Sequence, residues 1–306
     1  MKVLVATEKP FAKTAVDGIR KIVEKAGHTL ALLEKYTDVK DFYKAVSDAD
    51  ALIVRSDKVT KEVVDAAQKL KIVVRAGAGY DNLDLAACSA KKIVCMNTPG
   101  QNSNAVAELA IGMMIYMSRN TFKPGTGSEL KGKKLGIHAY GNVGCLAAHI
   151  AKGFGMEIYA YDPFISADKI KAQGVTPVDS VEKLYKTCHF VSLHIPANEQ
   201  TKKSIGYQLL SQMPKGACII NTARKEVIHE EELVKVMQER TDLKYCSDIA
   251  PDNAAEMAEK FQNRYFATPK KMGAETAEAN INAGLASANQ IVKFFTNGDA
   301  TFQINK

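Results

Sequence analysis

The stretch KLGIHAYGNVG, Lys134–Gly144, reads as a strand that runs through a tight turn into a helix. The apolar LGIH is the strand, and the pattern over Val143–Phe154 is helical. Between them, Ala139-Tyr140-Gly141-Asn142-Val143-Gly144 has the spacing of a phosphate-cradling turn, G-x-G-x-x-G, with alanine in place of the first glycine. Gly141 lets the backbone approach a pyrophosphate, and Gly144 lets the helix pack close to the strand. The helix N-terminus offers free N–H groups and the positive end of its dipole. Alanine at the first position narrows the allowed backbone. The following run, MEIYAYDP, carries Asp162, eighteen residues beyond Gly144. An acid there bonds the ribose hydroxyls of an adenine dinucleotide and repels a 2′-phosphate, so NAD is expected rather than NADP.

The same alternation extends in both directions. Towards the N-terminus the strand-like runs are VLVATE, LALLE, ALIVRS, IVVRAGA and IVCMN, separated by helical patterns such as TAVDGIRKIVEKAG. Towards the C-terminus they are HFVSLHIP, ACIINTAR, KYCSDIA and RYFATP. Short apolar runs joined by helices predict parallel strands buried on both faces. A nearly all-apolar helix is expected over Ser103–Arg119, buried between two bodies, and a last long one over about Glu275–Thr296. The segment FKPGTGSELKGKK is the clearest break. The expected fold class is α/β, with two doubly wound parallel-sheet domains.

Composition narrows the function classes. The 306 residues are 46% hydrophobic and 25% charged, as in an ordinary globular chain of about two domains. No apolar run is long enough for a membrane helix or a signal peptide. Six scattered cysteines without a C-x-x-C pair fit a reducing, cytoplasmic setting, and no metal site is expected. His189 and His194 are read as lying on one strand and pointing to opposite faces. The net charge of +7 comes from lysines spread along the chain, without a basic stripe interleaved with aromatics, so no nucleic-acid partner is expected. A mildly positive field does favour an anionic small molecule.

In doubly wound sheets, ligands bind beyond the carboxyl ends of the strands. Three of the seven arginines, Arg55, Arg75 and Arg224, stand at such ends. A guanidinium fork suits carboxylate or phosphate. The alternative is that each arginine pairs with a structural acid, for example Arg75 with Asp84. Other strand ends place Pro163, His194, Pro196, Thr222, Ala223 and Asp248 at the cofactor beside Tyr140, Gly141, Asn142, Val143, Gly144 and Asp162, with Thr201 a little beyond.

Beyond these readings, the chain resembles the D-isomer-specific 2-hydroxy acid dehydrogenases over nearly its whole length. The resemblance rests on Arg75-Ala-Gly-Ala-Gly-Tyr-Asp-Asn-Leu-Asp84, Asn97-Thr-Pro-Gly-Gln-Asn102, Val106-Ala-Glu-Leu109, Asn221-Thr-Ala-Arg224, Asp248 and Thr268-Pro-Lys270. It implies a Rossmann NAD domain over residues 100–282 and a flavodoxin-like substrate domain formed by 1–99 with 283–306, with a cleft between them. It further implies that Arg224 clamps the 2-oxo acid, that Asp248 holds the nicotinamide carboxamide, and that Arg55, Ser56, Arg75, Gly77 and Asn102 hold the substrate. A homodimer is implied as well, although the stretch between Arg119 and Leu135 is shorter than in most relatives and lacks a helix that commonly contributes to the contact. The chain stops soon after its last helix, so feedback by serine through a further regulatory domain is not expected.

Two departures bear on mechanism. The family's acid/base histidine is here Lys270, which is assigned both the proton transfer and a place beside the cofactor. The family's partnering glutamate is here Asn253, with Asp252 one place off, and either could take its part. A lysine is protonated near neutral pH, so reduction of a 2-oxo acid is expected there and oxidation at higher pH. Lys225 replaces the glycine that follows the arginine. The cationic strand ends favour a phosphorylated substrate, 3-phosphoglycerate, oxidised to 3-phosphohydroxypyruvate on the way to serine. A hydroxypyruvate or glyoxylate reductase and a non-catalytic NAD-sensing binding module stay open as alternatives.

Overall fold

The computed structural model describes residues 1–305. The chain divides into two compact units, residues 1–102 with 275–306 and residues 103–274. In the first, five parallel strands, β1 (Lys2–Thr7), β2 (Thr29–Glu34), β3 (Ala51–Val54), β4 (Ile72–Arg75) and β5 (Val94–Asn97), lie in the order β2-β1-β3-β4-β5. The connecting helices are α1 (Lys13–Lys25), α2 (Val39–Val46), α3 (Lys61–Ala66) and α4 (Leu85–Ala90). This is the flavodoxin-like order. Its strands are apolar runs because both faces are covered: Val3, Ile53, Ile72 and Val74 pack with Ile19 and Val23 of α1 on one face, while Leu4, Leu52 and Val73 pack with Phe42 and Val63 on the other.

The second unit opens with α5 (Ser103–Ser118) and contains a seven-stranded sheet in the order β12-β11-β10-β9-β6-β7-β8. The strands are β6 (Lys134–His138), β7 (Glu157–Tyr161), β8 (Thr176–Pro177), β9 (Phe190–Leu193), β10 (Cys218–Asn221), β11 (Lys244–Ser247) and β12 (Tyr265–Ala267), all parallel. Read from β8, the order is the doubly wound one, in which the order of strand addition reverses between β6 and β9. The helices are α6 (Asn142–Gly153), α7 (Ala167–Ala172), α8 (Val181–Thr187), α9 (Tyr207–Leu210), α10 (Glu230–Glu239) and α11 (Ala254–Phe261). Within its own unit, α5 packs on α6 and β10, and its buried residues include Val106, Ala110, Met113, Met114 and Met117. The helix is not apolar all round, because Asn104, Glu108 and Gly112 are exposed. His189 and His194 flank β9 rather than lie in it, since the strand ends at Leu193.

The chain returns to the first unit through α12 (Ala277–Asn297). An expected boundary at 282/283 would cut this helix in its second turn. The break comes before Glu275 because Thr276 caps the helix, accepting from Ala279 N at 3.1 Å. Likewise the first crossing falls after Asn102 rather than after residue 99, at the start of α5. Helix α12 lies close on α1: a Cβ on Gly18 would come within 2.5 Å of Leu285 Cδ2. After the helix, Gln303 bridges Met96 and Ile304 N donates to Cys95 O, which ties the tail to β5. All six cysteines are free, and all but Cys145 are buried. Among the described residues no helix is long and apolar enough to cross a membrane. Replacing the cap, Thr276→Ala, is expected to lower stability by about 1 kcal/mol in denaturant unfolding, with the fold retained.

Candidate active site

In the second unit the β6–α6 turn has the geometry of an anion cradle. Gly141 is the N-cap of α6, no side chain caps that end, and a Cβ on Gly141 would meet nothing within 4 Å. The first turn of a helix leaves N–H groups without intrahelical acceptors, and Asn142, Val143 and Gly144 are the residues of that turn. Gly144 is required for another reason: a Cβ there would lie 2.3 Å from Ala139 O and 2.8 Å from Ile137 Cγ2. Ala139 itself has φ +77°, the left-handed region that favours glycine. The alanine thus fills the glycine position of the turn in the glycine's own conformation, under strain.

Asp162 follows β7 and faces this turn. Its Oδ2 accepts from Tyr140 N at 2.8 Å, and its Oδ1 accepts from Phe164 N at 2.8 Å and Ile165 N at 3.2 Å. A carboxylate has about four acceptor positions, so Oδ2 keeps one for a further donor such as a ribose hydroxyl. The Tyr140 side chain points elsewhere: it is buried, its hydroxyl donates to Gln173 Oε1 at 3.0 Å, and burial pushes the phenol up to about 12. Pro163 beside Asp162 is exposed. At the end of β10 the Thr222 hydroxyl is buried without a partner, an unsatisfied group at the carboxyl edge of the sheet. The open N-cap, the glycine without room for a side chain, the spare carboxylate position and the orphan hydroxyl together fit a dinucleotide.

At the end of β9, His194 Nε2 lies 3.0 Å from Ser192 Oγ, while His138 Nδ1 lies 3.2 Å from Tyr185 Oη. Burial lowers His138 to about 4 and, aided by His138, lowers His194 to about 3, so both rings are neutral at physiological pH. Pro196 is exposed, and its carbonyl accepts from the Thr201 hydroxyl at 2.5 Å. Thr201 Oγ1 also accepts from Asn198 N at 2.9 Å, so the structure places this hydroxyl within its own loop rather than free for the cofactor.

Beyond β10, Asn221 shapes the turn by accepting from Ala223 N at 3.0 Å and donating to Arg224 O at 2.9 Å. Arg224 Nη1 donates to Ala223 O at 2.9 Å, and among the described residues no carboxylate pairs with this guanidinium. Asp248, just past β11, is 1% exposed. It accepts from the Thr268 hydroxyl at 3.0 Å, Met272 N at 2.8 Å and Gly273 N at 2.8 Å. It therefore fastens the loop that carries Lys270, a role its expected contact with a carboxamide did not include. Lys270 is exposed two residues past β12's end-residue neighbour Thr268. Asp252 forms an ion pair with Lys225, and its backbone N–H, with that of Asn253, donates to the Glu230 carboxylate. Asn253 Oδ1 is buried without a partner.

In the first unit, Arg55 follows β3. Its Nη1 donates to Lys9 O at 3.1 Å and Pro10 O at 3.3 Å, its Nη2 donates to Asn280 Oδ1 at 2.5 Å, and Phe11 lies beneath it. All these acceptors are neutral, so the charge is held without being cancelled. Arg75, the last residue of β4, donates from Nε to Arg55 O at 3.0 Å. Its guanidinium lies across Gly77, where a Cβ would sit 1.6 Å from Nη1 and the backbone has φ +150°. Asp84 caps α4 by accepting from Ala87 N. Ser56 is exposed, and Asn102 is partly exposed immediately before α5. The supports that sequence reading missed are Asn280, Asn221, Glu230 and the Lys225–Asp252 pair. An asparagine ending an apolar strand run was a usable signal for Asn221; nothing local marks Asn280, 225 positions from Arg55. Among the described residues no three His, Cys, Asp or Glu side chains group to hold a metal ion.

Comparison with known proteins places this arrangement. Residues 109–269 match the family described as D-isomer specific 2-hydroxyacid dehydrogenase, NAD binding domain. The chain belongs to that family. Among solved structures, the NAD+-bound 3-phosphoglycerate dehydrogenase of Entamoeba histolytica is 53% identical, with a TM-score of 0.88 over 100% of this chain and 99% of that one. The hydroxypyruvate reductase of Thermotoga maritima is 34% identical over 86% of this chain and 90% of its own. The D-3-phosphoglycerate dehydrogenase of Methanocaldococcus jannaschii is 35% identical over 89% of this chain, which spans 54% of that relative's length. The plastid phosphoglycerate dehydrogenase 2 of Arabidopsis thaliana is likewise covered over 47% of its length.

Two outcomes follow from the site. Ala139→Gly relieves a left-handed alanine and should raise stability by about 1 kcal/mol in chemical denaturation. His138 is neutral when folded and binds a proton more readily when unfolded. Between about pH 6.5 and 4 the unfolded chain therefore holds more protons, and stability falls as pH falls. From pH 7 to 5 this amounts to about 2 kcal/mol from His138, and His138→Gln should flatten that part of the slope in thermal unfolding.

Proposed function

We propose that the protein is an NAD-dependent 3-phosphoglycerate dehydrogenase, oxidising D-3-phosphoglycerate to 3-phosphohydroxypyruvate and catalysing the reverse reduction. The observation that carries this reading is the state of the arginines: Arg55 and Arg224 stand at strand carboxyl ends and, among the described residues, bond neutral acceptors. A guanidinium fixed by neutral acceptors keeps its charge available for an anion. The likeness to the Entamoeba enzyme supports the choice of substrate.

In this reading Gly141, Asn142, Val143 and Gly144 receive the pyrophosphate, Asp162 accepts from the ribose, and Pro163, His194, Pro196, Thr222 and Ala223 lie along the cofactor. NAD held there would supply the hydride acceptor for C2 of the substrate. Arg224 binds the substrate carboxylate and the oxygen on C2. Arg55 and Arg75, with Ser56, Gly77 and Asn102, bind the phosphate end. Lys270 takes the hydroxyl proton during oxidation and returns it to the carbonyl oxygen during reduction. Asp248 keeps the Lys270 loop in place. The proposed assembly is a homodimer and the proposed setting the cytoplasm, where the free cysteines stay reduced. Light scattering of the purified protein tests the first of these.

The test of function is the loss of NADH absorbance with 3-phosphohydroxypyruvate, run beside unphosphorylated hydroxypyruvate. Turnover with the phosphorylated compound is expected. Preference for the other would move the assignment to a hydroxypyruvate reductase, the activity named for the coextensive Thermotoga relative. Lys270→Met should lower kcat by about 10²–10⁴-fold while leaving NADH binding intact. Arg55→Met should raise KM for the phosphorylated substrate about tenfold or more, and change the unphosphorylated one little.

A further inference from the structure

Arg55 is aimed by a segment to which it does not belong. Its Nη1 donates to the carbonyls of Lys9 and Pro10 at 3.1 and 3.3 Å, so the guanidinium stands where the chain beyond β1 puts those two oxygens. Asp57, two residues after Arg55, holds that segment. It is 4% exposed, and its Oδ1 accepts from Glu8 N at 2.7 Å. β1 and β3 are neighbours in the sheet, so this bond joins adjacent strand ends.

The same residue is fixed from two further strand ends. Tyr36, beyond β2, donates its hydroxyl to Asp57 Oδ1 at 2.9 Å. Burial, with Asp57 beside it, holds the phenol above its ordinary range, so it stays a donor. Asn82, beyond β4, donates from Nδ2 to Asp57 O at 2.7 Å and to Arg55 O at 3.3 Å, and Arg55 O also accepts from Arg75 Nε. Among the described residues of the first unit, Asp57 is the only buried acid. Its Oδ2 is buried without a partner, which costs stability. Groups left in that state concentrate where function sets the arrangement.

We propose that Asp57 is a positioning residue for the phosphate end of the substrate: through Glu8 it sets the Lys9 and Pro10 carbonyls that aim Arg55. This rests on the reading of Arg55 as a ligand of the phosphate. Two donors share Asp57 Oδ1, and only Glu8 leads on to the arginine. Without the carboxylate, Glu8 N–H loses its acceptor, its segment loosens, and Asn280 is left as the fixed partner of the guanidinium.

The experiment measures KM and kcat for 3-phosphohydroxypyruvate and for unphosphorylated hydroxypyruvate, with NADH binding and thermal unfolding to confirm folding. Asp57→Ala is expected to raise KM for the phosphorylated compound about fivefold, with its kcat and the other compound's KM within about twofold of the parent. Asp57→Asn keeps an oxygen acceptor for Glu8 N and should restore the parental KM. Tyr36→Phe should stay within about twofold. If Asp57→Ala does not fold, Asp57→Ser, one bond too short for Glu8 N, should give the same split. In an Arg55→Met background, Asp57→Ala should add nothing. An unchanged KM in folded Asp57→Ala, an equal loss for both compounds, an additive effect on Arg55→Met, or an Asp57→Asn or Tyr36→Phe enzyme as poor as Asp57→Ala would each overturn the role of Asp57. No turnover with either compound, or an Arg55→Met enzyme that treats both alike, would instead remove the reading of Arg55 beneath it.

Discussion

A parallel sheet covered by helices on both faces has nowhere to display polar side chains except where its strands stop. That constraint governs both units of this protein. Strands of four to six residues such as Ala51–Val54, Cys218–Asn221 and Lys2–Thr7 are buried almost throughout, so their sequences are spent on packing. The chemistry is displaced to the residues immediately beyond them. Arg55, Asp162, Thr222 and Asp248 occupy such positions, Arg75 is the last residue of its strand, and Arg224 stands three residues past the end of β10. The close seat of α6 on β6 at Gly144 is part of the same arrangement, because it sets where the N-terminus of that helix begins.

Charge at these ends is managed in two ways. The acids are satisfied by backbone donors: Asp162 by three N–H groups, Asp248 by two and a hydroxyl. These carboxylates organise loops at little electrostatic risk, since N–H donors compensate the cost of their burial. The cations Arg55 and Arg224 are instead oriented by carbonyl and amide oxygens, which fix the guanidinium without neutralising it. The asymmetry leaves a positive charge uncancelled at a strand end in each unit.

Much of this was legible along the chain. The strand runs, the glycine turn and Asp162 could be read because periodicity and composition are local, and burial on both faces leaves an unmistakable apolar run. The helix expected over Val143–Phe154 runs from Asn142 to Gly153. The domain edges were harder: the expected 282/283 boundary ignored Thr276, whose capping role depends on where the helix starts. The supports of the site were not legible, because they join positions far apart. Asn280 reaches Arg55 and Lys225 reaches Asp252 only once the sheets have brought their loops together. Asp248 could be placed at the site by resemblance, yet its grip on Thr268, Met272 and Gly273 required coordinates. The left-handed backbone of Ala139 was hidden by a residue type that seldom adopts it.

The burial of the thiols has a consequence for how the molecule can be watched. Cys88 and Cys95 belong to the first unit, while Cys188, Cys218 and Cys246 are interior to the second. A maleimide or similar electrophile reaches these sulfurs only when the surrounding structure opens. Peptide-resolved alkylation therefore keeps separate clocks for the two units. The native chain carries its own set of timers, distributed by the fold, with which the breathing of each half can be followed without any introduced label.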